Sequence, residues 1–221
     1  MSFVHLSVHS EFSLNDSLIR VKPLMSKAKE FNQPAIAICD TSNMFATIKA
    51  YNGAMAMGVK PIIAAEVQIK TPRLPASTLM LYCMNNDGYQ ALCELISRGY
   101  NEAPRDDQNH PVIPLEWLDG QTENLIALSG GREGEVGRLM MSNRRTLMEE
   151  APSDYKLLFG DRMFIELQRI GHPADDRYVK EAVSLAIEHK LPVVATNPSR
   201  FLDPADFQTH EVRIAIAQGR S

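Results

Sequence analysis

The chain is 221 residues long and 44% hydrophobic, with 23 Lys and Arg against 27 Asp and Glu and a formal net charge of -4. That size supports one sizeable core or two small ones, and the scattered cations argue against DNA binding by this chain alone, because phosphate neutralisation needs clustered Lys and Arg. No apolar run is long enough to span a membrane, Met1-Ser2-Phe3 leads into a strand-like run rather than a signal peptide, and Cys39, Cys83 and Cys93 lack CxxC spacing, so a cytoplasmic, reducing location is expected.

Residues 3–9 read as a first strand, on which His5, Ser7 and His9 share a face by the two-residue period. A helix is expected over 21–31, with Pro23 tolerated in its first turn, and then a strand over 34–39. A helix over 43–57 ends at Gly58, the residue type suited to its C-terminal cap. Strands follow at 61–69 and 78–84, and a helix over 88–98. Residues 100–114, polar and proline-containing, read as a loop. A fifth strand is expected at 124–129, followed by helices at 134–141 and 148–159, with a break near Pro152. Strands at 163–168 and 192–196 flank a helix over 174–189, and a last helix spans 205–218. This alternation predicts an α/β fold, a parallel sheet covered by helices that is either open or closed into a barrel, with no repeat and no support for a second domain.

In such folds ligands sit at the C-terminal ends of the strands, which singles out His9, Asp40 with Thr41, Glu66, Gly130-Gly131-Arg132 and residues 197–200. Each has a plainer reading. His9 is a structural histidine or a ligand, Glu66 needs a structural partner or a metal, and Asp40 either belongs to a site or caps the helix starting near Asn43. The glycine-rich run 131–137 lacks GxGxxG spacing and a P-loop lysine, so it reads as a tight turn. Met55, Met57, Met140 and Met141 read as core filler.

The segments FVHLSVHSEFSLNDS, AIAICDTSNMFATIKAY, GVKPIIAAEVQI, NNDGYQALCELIS, LSGGREGEVG and LPVVATNPSRFLDPADFQTHEVRIAI occur in this order from Phe3 to about Gly219. Together they resemble the polymerase-and-histidinol-phosphatase (PHP) domain that opens the alpha subunits of bacterial DNA polymerase III. The resemblance implies a distorted, mostly parallel, seven-stranded-like β/α barrel occupying residues 1–221. In metal-competent members, His and acidic side chains at the barrel mouth hold a metal cluster that activates water against a phosphoester. Carried over by position, this chain keeps His9, Asp16, Asp40 and Glu66. Ser7, Thr41 and Thr78 stand where the family has His, Gly131 where it has Cys or His, Pro198 where it has Asp, and Arg200 where it has His.

An arginine cannot ligate a cation, because it stays protonated and has no available lone pair. The pattern therefore predicts a degenerate site in which Arg200 and Arg132 supply fixed charge to Asp16, Asp40 and Glu66, with His9, Asp16 and Glu66 able to hold at most one weak ion. No catalytic residue and no cofactor are expected in this chain, and Mg belongs to the polymerase domain of the parent. The resemblance further implies a parent enzyme that synthesises DNA and a scaffold role here. The implied partners are the rest of the polymerase alpha chain and a proofreading exonuclease subunit, docked around 100–119 as a first guess. DNA would be reached only through the parent, with no membrane involved. The competing expectation is an active metal-dependent phosphoesterase or 3'-5' exonuclease.

Overall fold

The computed structural model describes residues 3–142 and 144–219. The chain divides into two compact units, Met1–Ala65 with Asn197–Ser221, and Glu66–Thr196. The described residues carry seven strands and seven α-helices in the expected α/β alternation.

In the first unit, strand β1 (Ala35–Thr41) is buried along its whole length, as an apolar strand covered on both faces requires. Helix α1 (Val21–Glu30) buries Val21, Leu24, Met25 and Ala28, a three-and-four spacing that makes one apolar stripe, and Pro23 falls in its first turn as expected. Helix α2 (Thr47–Met57) ends at Gly58 in the left-handed region (φ 72°), where glycine carries no Cβ penalty. Val8, Ile19, Leu24, Met25, Ile36 and Ile38 form the centre of this unit's core. Strand β2 (Lys60–Lys70) begins here and continues into the second unit, and helix α7 (Phe207–Ala217) closes the chain.

Residues 3–9 do not form the regular strand expected of them. The Ala37 and Cys39 amides donate to the His5 and Val8 carbonyls at 2.9 and 2.8 Å, so two residues on β1 face three on the first segment. Val8 makes an isolated parallel bridge with Ser199. That mismatch is bulge-like and breaks the alternation that placed Ser7 and His9 on one face and Val8 on the other. Ser7, Val8 and His9 are all buried, at 2%, 1% and 0% exposure. The start of α2 also moves from 43 to Thr47, because Asn43 accepts from the Phe45 amide at 3.1 Å and makes a local turn instead.

The second unit contains β3 (Ser77–Cys83), α3 (Asn86–Glu102), β4 (Val112–Pro114), β5 (Leu125–Leu128), α4 (Glu135–Met141), α5 (Arg145–Phe159), β6 (Met163–Gln168), α6 (Asp175–His189) and β7 (Val193–Thr196). Its strands run in the order β2-β3-β5-β6-β7, with β4 on β2. The β2–β4, β5–β6 and β6–β7 pairs are parallel and β3–β5 is antiparallel. Asn85 caps α3 by accepting from the Gly88 amide at 3.0 Å.

Three further expectations change. The loop expected at 100–114 is shortened from both ends, because α3 runs on to Glu102 and Val112–Pro114 pairs in register with β2. Pro152 lies inside α5 without ending it. Its missing amide removes one helical hydrogen bond, and the burial of Ala151, Tyr155 and Phe159 on the same helix offsets that loss. Met55, expected in the core, is 57% exposed, whereas Met140 is buried.

Candidate functional site

In the first unit the polar residues gather where the opening segment, the turn after it, the end of β1 and the segment before α7 meet. A one-turn 3-10 helix, Glu11–Ser13, follows His9 and is capped by Ser10. This turn brings Ser10 and Ser13 onto Asp40. The Ser10 amide and the Ser13 hydroxyl donate to Asp40 Oδ1 at 2.6 and 2.7 Å, and the Ser10 hydroxyl donates to Oδ2 at 2.7 Å. Asp40 is 1% exposed, and these donors satisfy its buried charge. It therefore does not cap α2. Among the described residues its donors are two hydroxyls and a backbone amide, where a guanidinium was expected.

Asp16 has different company. Arg200 Nε donates to its Oδ1 at 2.8 Å, and His9 Nδ1 lies 3.2 Å from its Oδ2. Partial burial pushes the Asp16 carboxyl up, but the His9 contact and the Arg200 charge outweigh it and hold the group well below the usual carboxylate range. Ser13 Oγ and Thr41 Oγ1 approach the same His9 nitrogen at 3.5 and 3.4 Å. The Ser17 hydroxyl donates to the His9 and Arg200 carbonyls at 2.6 and 3.0 Å, and His210 Nε2 lies 2.9 Å from the Asp16 carbonyl oxygen. Pro198 offers no side-chain donor or acceptor.

The second unit, taken by itself, holds the remaining expected positions in a polar cluster. Glu66 sits within β2 rather than at its end. Thr78 accepts a hydrogen bond from Gln68 Nε2 at 3.1 Å. Gly131 adopts φ 59°, and a Cβ there would lie 2.5 Å from Gln168 Oε1, so the Gln168 amide fills the space a side chain at 131 would need. Gln168 Nε2 in turn donates to Glu166 Oε1 at 3.0 Å, and Thr196 donates to the same oxygen. Glu166 is fully buried. Burial pushes its carboxyl up, opposed by the Thr196 and Gln168 hydrogen bonds and reinforced by the Glu66 charge. Arg132, assigned above to the acids of the site, instead pairs with Asp175 at 3.5 Å.

Ser10, Ser13, Ser17, Glu166, Gln168, Thr196 and His210 were not singled out from the sequence as site residues. A lone acid inside the apolar run Met163–Gln168 was a legible signal, because a strand buried on both faces must give such a group a partner. The serines carried no such signal, since serine is common in turns for local reasons. Among the described residues, no group of three or more His, Cys, Asp or Glu stands close enough to hold a metal ion.

The fold and these positions place the chain in a known class. It belongs to the PHP domain family, whose model matches residues 5–170. It is 40% identical over 223 residues to DNA polymerase III subunit alpha of Pseudomonas aeruginosa, covering 100% of this chain and 19% of that protein. It is 42% identical over 223 residues to DNA polymerase III subunit alpha of Escherichia coli K12, covering 98% and 19%. The chain thus spans about a fifth of the length of these relatives. Among solved structures, a protein from Bifidobacterium adolescentis described as a candidate metal-dependent phosphoesterase aligns with a TM-score of 0.62 at 11% identity, over 95% of this chain and 96% of that one. An amidohydrolase from Chromobacterium violaceum, solved with sulfate and no metal, aligns with a TM-score of 0.64 at 13% identity over the same shares. These two share the fold, and the α/β class expected from the sequence agrees with theirs.

Proposed function

We propose that this chain is the PHP region of a replicative DNA polymerase alpha subunit in which the family's metal cluster has been replaced by fixed protein charge and hydrogen bonds, leaving a scaffold. The observation that carries this reading is the Asp40 carboxylate. Three donors occupy its oxygens, and a carboxylate so engaged has little left to give a cation. Arg200 on Asp16 supports it further, because a guanidinium placed on a ligating oxygen opposes a divalent ion electrostatically. Gln168 filling the space beside Gly131 supports it in the second unit. The residues present do not fit a metal cluster, and no water-activating step is assigned to them.

Under this reading, DNA synthesis belongs to the parent polymerase with its own Mg ions, and this chain contributes no catalytic residue. Its partners are the remaining alpha chain and a separate proofreading exonuclease subunit, in a cytoplasmic replication complex. The test has two parts on the purified chain. Elemental analysis after exposure to zinc and manganese is expected to find less than stoichiometric metal, with no hydrolysis of a model phosphodiester. Association with the exonuclease subunit is expected to survive a chelator. Stoichiometric metal together with hydrolysis abolished by His9→Ala would establish the competing phosphoesterase instead.

A further inference from the structure

In the second unit, residues from the loop after β5, from α4 and the residue that follows it, and from the loop after β6 come together. Between them lies a pocket of about 380 Å³ lined by Arg132, Glu133, Arg138, Met141, Ser142 and His172. None of these except Arg132 belongs to the site described above.

The cationic groups here are unevenly satisfied. The Arg132 side chain is 12% exposed, and Asp175 Oδ1 lies 3.5 Å from its Nε, beyond a good hydrogen bond. That Nε is buried without a hydrogen-bond partner among the described residues, and so is Asp175 Oδ1. A largely buried guanidinium with five donors and only a loose ion pair leaves strong hydrogen-bonding capacity unused. Asp175 is itself held by the Ile170 and His172 amides, which donate to its Oδ2 at 2.8 and 3.0 Å, so it fixes the position of the charge behind Arg132. Arg138 is anchored by a hydrogen bond to the Ala76 carbonyl, and its guanidinium has further donors. The Ala174 amide donates to His172 Nδ1 at 3.1 Å, which leaves the neutral ring's proton on Nε2 and makes that atom a donor. Glu133 and Asp175 bring two negative charges against the two arginines, so the case for an anion rests on the unused N–H donors of Arg132, Arg138 and His172 and not on an excess of positive charge.

We propose that this pocket binds a small phosphate-class oxyanion, with Arg132 and Arg138 as its charged donors and His172 as a neutral one. A tetrahedral oxyanion offers acceptors in several directions at once, which suits donors arriving from two loops and a helix. The chemistry fits free orthophosphate and the phosphate of a nucleotide alike. This inference does not depend on whether the chain holds a metal.

The test is titration of the 221-residue chain with sodium phosphate, with adenosine monophosphate and with chloride at matched ionic strength, followed by thermal melting and by the His172 ring resonances. Phosphate is expected to raise the melting temperature saturably, with a dissociation constant of the order of 1 mM, as a few charge-assisted contacts supply. Equal affinity for both phosphates identifies the free anion as sufficient, and tighter adenosine monophosphate identifies a nucleotide; either supports the pocket. Arg132→Gln and Arg138→Gln are each expected to weaken binding at least about tenfold with an unchanged circular dichroism spectrum. Should Arg132→Gln fail to fold, Arg138→Gln and His172→Gln, both at exposed positions, carry the same test. Phosphate acting no more strongly than chloride overturns the proposal, and so does undiminished binding in the Arg138→Gln, His172→Gln double variant.

Discussion

Asp16 and Asp40 lie on the same unit, and their environments pull them apart chemically. Asp40 is buried among hydroxyls and an amide, whereas Asp16 leans on Arg200 and His9 with 34% of its side chain exposed. Solvent screening limits the worth of such a half-exposed pair to about 1 kcal/mol. Arg200→Ala is accordingly expected to lower the melting temperature by roughly 2–4 °C for a chain of this size, and an unchanged melting curve would remove the guanidinium from the account. The Asp16 carboxyl is depressed in the folded state, so the stability it contributes is present above its unfolded value of about 4 and is lost as pH falls below that. Asp16→Asn should flatten the acid limb of a stability-versus-pH curve below about pH 4, leaving the limb above pH 5 with the same slope. At Gly131 the same scale gives a steric prediction. Gly131→Ala places a methyl on the Gln168 amide in left-handed backbone and is expected to cost about 1–3 kcal/mol in denaturant unfolding. Gln168→Ala in the same chain should recover part of that loss, because it removes the clash but not the backbone strain.

Elements of the second unit are tied together by a largely buried charge cluster that the sequence did not single out. Arg73, after β2, donates to Glu135 Oε1 at 2.9 Å at the start of α4 and to Asp154 Oδ2 at 2.7 Å on α5. Thr71 also donates to Glu135, which is 1% exposed. Removing one member of such a cluster leaves an uncompensated buried charge, which costs about 3–5 kcal/mol. Arg73→Ala is therefore expected to be among the most destabilising single changes outside the apolar core, measured by urea unfolding. Arg73→Ala with Glu135→Gln should be less destabilised than Arg73→Ala alone, since the orphaned charge is gone. Elements of both units show why some boundaries were illegible in the sequence. Asn43 carried a helix-start signal and used it for a turn. Pro152 carried a helix-stop signal that buried neighbours overrode.

At the scale of the whole molecule, the chain belongs to the PHP domain family and spans about a fifth of the length of the DNA polymerase III alpha relatives it matches. The metal reading belongs to this scale, because a multinuclear centre must draw ligands from many strands at once. If the proposed replacement of the metal cluster holds, addition of zinc or manganese leaves the melting temperature of the chain unchanged, since a ligand that does not bind the native state cannot stabilise it. A saturable rise with either metal would overturn that proposal.

The sequence by itself determined the α/β class, the order of its main strands and helices and the kinship with PHP domains. Those properties are written in local periodicity and in residue identity. The tertiary structure alone decided who answers each buried charge. Serines at 10 and 13 hold Asp40, Arg200 holds Asp16, Asp175 draws Arg132 away, and Gln168 occupies the space beside Gly131. The reason is that a buried carboxylate requires donors but does not specify them. Any hydroxyl, amide or guanidinium delivered to within about 3 Å will serve, and which one arrives depends on chain segments up to 184 residues apart.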